Sequence, residues 1–105
     1  MLLLLAFFAC DPAPEPCMAM CERVVAQECG CLAQWDAQWS ELGYSDQEDY
    51  FEACQTWVWQ MRLLEKDAGS DALDGHCQDW TETLDAGPME CGQWAESDWS
   101  DIPWR

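Results

Sequence analysis

The sequence predicts a small all-α domain that disulfide bonds hold together. Apolar residues recur at spacings of three and four along several segments, and eight cysteines occur in 105 residues. No segment alternates apolar and polar residues for long enough to indicate a sheet. A chain this short buries only a marginal core, and cysteine-rich composition is typical of exported domains stabilised by cross-links. We expect a disulfide-stapled bundle of three or four helices with an irregular, acidic, Trp-rich C-terminal tail.

The first predicted helix spans residues 17–28. It follows Pro16, and proline is tolerated in the first turn of a helix. A second helical stretch over residues 32–42 ends at Gly43, a residue type common at helix C-termini. Because the apolar stripe stays in phase across Gly30, the alternative is one long helix through both stretches.

The clearest helix covers residues 46–67. Ser45 and Glu48 match the S-x-x-E capping box, in which two side chains satisfy free amides at a helix start. The apolar residues that follow at spacings of three or four form a wide core face: Tyr50, Phe51, Cys54, Trp57, Val58, Met61 and Leu64.

A further helix begins at Ser70 or Asp71 and ends near residue 85. Gly87 and Pro88 then stop it. The connection from the preceding helix is short, which predicts antiparallel packing of the two.

Seven cysteines follow residue 10, and we expect six of them to form disulfides. They are Cys17, Cys21, Cys29, Cys31, Cys54, Cys77 and Cys91. Four lie on core stripes of three predicted helices, where Cα atoms come within the roughly 4.4–6.8 Å that a disulfide requires. The remaining three lie at element ends and would pin the loop and tail. The pairing stays open, and one cysteine stays unpaired or pairs between molecules.

Other uses of these sulfur atoms define the alternative function, a periplasmic soft-metal-binding or thiol-redox protein. The segment from Cys17 to Cys21 includes Met18 and Met20, and thiols with thioethers suit Cu(I). Cys29 and Cys31 form a C-x-C pair. The spacing lacks the paired C-x₂-C pattern of zinc sites, so we predict no metal site and no cofactor.

No constellation of catalytic residues is apparent, and we predict that the protein is not an enzyme. His76 precedes Cys77, but adjacent helical residues point about 100° apart, which favours a partly exposed structural histidine.

The N-terminal segment indicates export. Residues 2–9 are apolar, Cys10 follows, and Pro12, Pro14 and Pro16 then space a short linker. The run is too short to span a bilayer but matches the core of a signal peptide. Ala9 and Cys10 resemble the lipobox of bacterial lipoproteins, although Phe7 and Phe8 depart from it. The resemblance implies cleavage before Cys10 and a lipid on that cysteine; the alternative is an ordinary signal peptide.

The charge limits the partners. The chain has 21 Asp and Glu against 4 Lys and Arg, a net charge of −17. Phosphate binding needs clustered Lys and Arg, so nucleic acid is excluded as a direct partner. Anionic lipid headgroups repel such a surface, so membrane attachment depends on the lipid anchor alone.

Eight tryptophans are a large excess, and some are candidates for contacting a partner. Trp35, Trp57 and Trp80 fit core stripes. The candidate partner-binding residues are Trp59, Trp94, Trp99 and Trp104, which would offer a protein, glycan or cationic molecule an aromatic surface. The alternative is a tail that folds back and covers the core with its rings.

These observations predict four regions. Residues 1–9 are a signal peptide, residues 10–16 a lipidated cysteine and Pro-rich tether, residues 17–91 the Cys-rich helical domain, and residues 92–105 the acidic tail. The predicted function is a structural or binding module of the bacterial cell envelope. It is membrane-anchored and faces the periplasm or exterior, or is secreted if Cys10 carries no lipid.

Overall fold

The structure is a computed structural model that describes residues 15–104. This range contains four α-helices and one 3₁₀ turn, and no strand occurs within it. The helices are α1 (Pro16–Gln34), α2 (Gln47–Ala68), α3 (Ala72–Asp85) and α4 (Cys91–Glu96), and the 3₁₀ turn is Trp39–Leu42. The predicted all-α, disulfide-stapled bundle is therefore confirmed. The predicted signal peptide, Cys10 and most of the tether lie outside the described residues.

Helix α1 is one continuous helix through Gly30, as the alternative reading of the stripe predicted. The Glu15 side chain accepts a hydrogen bond from the Met18 amide and caps its start. The expectation of a helix over residues 32–42 is wrong beyond Gln34, because Asp36 adopts a left-handed φ of 53°. A short polar side chain tolerates that conformation, and a helix cannot continue through it.

The N-cap of helix α2 lies one residue later than the sequence predicted. Asp46, rather than Ser45, is the N-cap, and its carboxylate accepts a hydrogen bond from the Asp49 amide at 2.8 Å. The Asp49 carboxylate reaches back to the Ser45 amide at 3.0 Å. The arrangement is a variant of the capping box in which Asp49 replaces Glu48 and bonds the amide of the residue before the N-cap.

Helices α2 and α3 contact each other through side chains. Glu65 accepts a hydrogen bond from the Leu73 amide, and further back along α2 the Trp57 ring lies 5.6 Å from the His76 ring. The turn between the helices contains Gly69 at φ 66°, a left-handed conformation that glycine adopts at no steric cost.

Three disulfides join α1 to each of the other helices. Cys17 bonds Cys77 of α3, Cys21 bonds Cys54 of α2, and Cys31 bonds Cys91 of α4. Their Cα separations are 4.8, 5.7 and 5.5 Å. Between the bonds lie the largest fully buried side chains, Met20, Val24 and Leu73. Each bond contributes about 2–4 kcal/mol, mainly by restricting the unfolded chain, which is comparable to the stability of a small domain.

Residues after α3 fold back onto the bundle. Helix α4 occupies part of the predicted tail, and the Trp57 indole donates a hydrogen bond to the Ser100 carbonyl at 2.9 Å. The Trp99 carbonyl lies 2.6 Å from His76 Nε2. Trp99, Ile102 and Trp104 pack against the core as partly buried residues. The described part of the tail is thus an element of the domain.

Replacing both ends of one cross-link tests this architecture. The double substitution Cys31→Ser with Cys91→Ser should lower the free energy of unfolding by about 2–4 kcal/mol, because it releases α4 and the following turns from α1. The emission of buried Trp94 should shift to longer wavelength in the native state. Chemical denaturation followed by fluorescence measures both effects. Cys29→Ser is the control and should change stability by less than about 0.5 kcal/mol, since its side chain is exposed. Equal losses in the two variants would contradict the architecture.

Candidate functional site

One pocket combines four aromatic rings with two carboxylates. It has a volume of about 280 Å³ and lies where α1, the 3₁₀ turn, the start of α2 and the C-terminal segment meet. We call it the acidic aromatic pocket. Its aromatic and carboxylate lining residues are Glu28, Trp35, Tyr50, Trp94, Asp98 and Trp99.

Helix α1 and its disulfide position two walls of the acidic aromatic pocket. Glu28 and Trp35 are seven residues apart, so they lie on nearly the same face of α1. Cys31 lies between them and bonds Cys91, three residues before Trp94. The disulfide therefore brings the α4 wall against the α1 wall.

Hydrogen bonds fix two of the indole rings. Trp94 Nε1 donates to Glu28 Oε2 at 2.8 Å, and Trp99 Nε1 donates to Tyr50 Oη at 3.2 Å. An indole has one donor and no acceptor. Since that donor is used in both rings, these residues offer a ligand only their π surfaces and C–H edges.

Tyr50 forms the inner part of the site and stays neutral. It is buried, and its ring centroid lies 5.1 Å from that of Trp39 and 4.8 Å from that of Tyr44. Burial raises the pKa of the Tyr50 phenol well above its usual value near 10, which outweighs the opposing effect of the Trp99 hydrogen bond. The negative charge of Glu28 adds to the increase in pKa.

The electrostatic character of the acidic aromatic pocket is negative. Glu28 and Asp98 contribute carboxylates, and no Lys or Arg of residues 15–104 lines the pocket. Arg23 pairs with Glu22 and Asp85, and Arg62 with Glu15 and Asp74. Lys66 lies sixteen residues along α2 from Tyr50, about 24 Å at the helical rise.

Two tryptophans decide between the predicted interpretations. Trp94 is a candidate partner-binding residue, but it is only 5% exposed, as the alternative of a tail that folds back over the core predicts. Its hydrogen bond to Glu28 and its edge-to-face packing on Trp80, with centroids 6.0 Å apart, hold it in the domain. Trp35 was expected in the core and is 42% exposed, because α1 ends there.

The other candidate partner-binding tryptophans differ from one another. Trp59 is 65% exposed on the outer face of α2 and does not line the acidic aromatic pocket. Trp99 lines that pocket and is half-buried, and Trp104 packs partly buried against the core. Sequence reasoning did not single out Glu28 or Asp98. The seven-residue spacing of Glu28 and Trp35 was an available signal, but their partners come from distant segments.

The sulfur-rich segment of α1, residues 17–21, contributes its cysteines and Met20 to the core. Cys17 and Cys21 are each bonded to a different helix, and Met20 is fully buried. The Met18 sulfur accepts a hydrogen bond from Gln55. Glu15, Cys17 and Asp74 offer ligand atoms within 4.8 Å of one another, but the Cys17 sulfur is in a disulfide.

The C-x-C pair does not form a disulfide of its own. Cys31 is bonded to Cys91, and the exposed Cys29 has no disulfide partner within residues 15–104. Its sulfur lies 3.9 Å from Gln47 Oε1. An open groove of about 500 Å³, with Val25 and Phe51 among its lining, lies between α1 and α2 close by.

Comparisons with known proteins add no identification. No family model, no curated protein and no solved structure matches the chain. Within residues 15–104, no helix has both the length and the apolar character needed to cross a membrane.

The burial of Tyr50 predicts a stability loss at alkaline pH. A phenol whose folded pKa is raised stays protonated in the folded state while the unfolded chain ionises, so stability is intact below pH 10 and falls above it. The slope should approach about 1.4 kcal/mol per pH unit. Urea denaturation between pH 8 and pH 11 measures it. Tyr50→Phe should flatten this slope, whereas an unchanged slope in that variant would show that another group causes it.

Proposed function

We propose that the protein is an exported binding module of the bacterial cell envelope, anchored by a lipid on Cys10, whose acidic domain binds a cationic partner. The observation that carries the proposal is the set of three disulfides that tie α1 to every other helix. Structural disulfides persist in oxidising compartments and are rare in the bacterial cytosol. Export is therefore consistent with both the apolar N-terminal run and the cross-linked core.

The tether supports an anchor close to the membrane. Cys10 and Glu15 are five residues apart, a distance that an extended chain spans in at most about 18 Å. Prolines in this segment favour a stiff spacer. The domain would then lie near the membrane surface without contacting anionic headgroups, which its net charge of −17 repels.

The charge distribution favours a binding role over a purely structural one. A surface with a large excess of carboxylates attracts cations and accelerates their association at low ionic strength. The acidic aromatic pocket adds a concave site where two carboxylates and four aromatic rings converge. A concave site with a few convergent polar groups is the default place for a small ligand.

No structural observation favours the soft-metal or thiol-redox alternative. The sulfur atoms of Cys17, Cys21 and Cys31 are consumed in disulfides, and thiolates are the species that bind metal or attack disulfides. A purified protein with one alkylatable thiol before reduction and no bound metal would argue against the alternative.

Intact-mass measurement of the full chain expressed in bacteria tests the anchor. The expected mass corresponds to a chain that begins at Cys10 and carries a diacyl- or triacyl-glyceryl group, and the protein should pellet with membranes. Alkylation should modify one cysteine before reduction and seven after it, because six of the seven later cysteines are cross-linked.

Two variants separate the anchor from other causes of membrane association. Cys10→Ser should abolish both the lipid mass and pelleting, whereas Cys29→Ser should change neither. A membrane-bound protein without lipid mass, or pelleting that survives Cys10→Ser, would refute the proposed anchor.

A further inference from the structure

We propose that the acidic aromatic pocket binds a small organic monocation with a quaternary or methylated ammonium group. The inference deepens the proposed function, on which it rests, by naming the class of cation. Four aromatic side chains and two carboxylates line one cavity of about 280 Å³. Aromatic rings and negative charge together are the features by which proteins recognise quaternary ammonium groups.

The hydrogen-bonding state of the walls selects the kind of ligand. The indole donors of Trp94 and Trp99 are already bonded to Glu28 and Tyr50. A ligand that depends on hydrogen bonds from these rings would find none. Because these two rings have no free donor, they favour a ligand without acceptor groups of its own. The methyl groups of a quaternary ammonium can contact the rings while its positive charge lies near the Glu28 and Asp98 carboxylates.

The same walls disfavour a metal ion. Calcium takes six to eight oxygen ligands, and magnesium requires near-octahedral oxygen coordination. The acidic aromatic pocket offers the carboxylates of Glu28 and Asp98, and a Glu28 oxygen already accepts the Trp94 indole proton. One Asp98 carboxylate oxygen is also occupied, because it accepts hydrogen bonds from the Ser100 amide and hydroxyl. The rest of the lining consists of the four aromatic rings together with Leu42, Ala95 and Ser97.

The sign of the charge restricts the ligand further. A zwitterion such as glycine betaine or phosphocholine carries an anionic group that Glu28 and Asp98 would repel, because no Lys or Arg of the described residues lines the pocket to receive it. We therefore expect choline and tetramethylammonium to bind more tightly than betaine or phosphocholine. That order distinguishes a free cation from a phospholipid headgroup.

The size and opening fit a small ligand. The volume is just below the roughly 300–1,000 Å³ typical of small-molecule sites. Trp35 is 42% exposed and forms the outer wall, whereas Tyr50 and Trp94 are buried.

A titration of the ¹⁵N-labelled full chain tests the inference. The protein is kept in a maltoside detergent, because phosphocholine detergents carry a headgroup related to the ligand. Choline and tetramethylammonium are compared with 3,3-dimethyl-1-butanol, the uncharged isostere of choline. The expected result is a saturable shift of the indole N–H signals of Trp35, Trp94 and Trp99. The isostere should bind at least about tenfold more weakly.

Matched variants locate the effect. Glu28→Gln keeps an acceptor for the Trp94 indole but removes the charge, and Trp35→Ala removes the exposed wall. Each should weaken choline binding about three- to tenfold, the size expected for losing one charge contact or one cation–π contact. Glu52→Gln and Trp59→Ala are the controls on the outer face of α2 and should leave the affinity unchanged.

Three results would overturn the inference. They are equal binding of the uncharged isostere, equal loss in the α2 control variants, and the absence of saturable shifts in the pocket indoles. None of these three results depends on lipidation of Cys10, which the intact-mass measurement tests separately. A lipidated protein whose pocket ignores choline would retain the anchor and lose the ligand class. Choline binding by an unlipidated chain would support the ligand class and refute the anchor.

Discussion

Covalent attachment of α1 to α2, α3 and α4 is the constraint on which the rest of the structure depends. A chain with net charge −17 repels itself in the compact state, and its helices bury few large apolar side chains. The three cross-links raise the free energy of the unfolded chain. With that contribution, a small core is enough to offset the charge repulsion in the folded state. Arg23 and Arg62 neutralise carboxylates from separate segments and so reduce that repulsion locally.

The same constraint decides what lies at the surface. The Cys31–Cys91 bond holds α4 against α1, and this brings the Trp94 indole to Glu28. The Trp57 indole donates a hydrogen bond to the Ser100 carbonyl, and His76 Nε2 lies within hydrogen-bonding distance of the Trp99 carbonyl. These contacts hold the C-terminal segment against the bundle. The segment that composition alone marks as a polar tail thus supplies one wall of the acidic aromatic pocket.

Local patterns predicted the helices well and the surface poorly. The apolar spacing on α2 and α3 and the core cysteines depend on periodicity within one element, which the sequence displays directly. The break at Asp36 and the cap at Asp46 depend on competition between neighbouring residues that look alike in sequence, such as Ser45 and Asp46. The burial of Trp94 depends on which cysteines pair, and spacing does not reveal connectivity. The exposure of Trp35 follows from the end of α1, which the continuous apolar stripe does not indicate.

The position of one disulfide links the proposed ligand site to the proposed location. Glu28 and Trp35 flank Cys31 on α1, and Trp94 lies one turn after Cys91 on α4. Reduction of this bond would leave the two walls joined by hydrogen bonds and packing alone, in a domain whose charges favour separation. The pocket is thus tied to the oxidised form of the protein. A site built in this way would assemble after export, in the compartment where disulfides persist, and not during synthesis in the reducing cytosol.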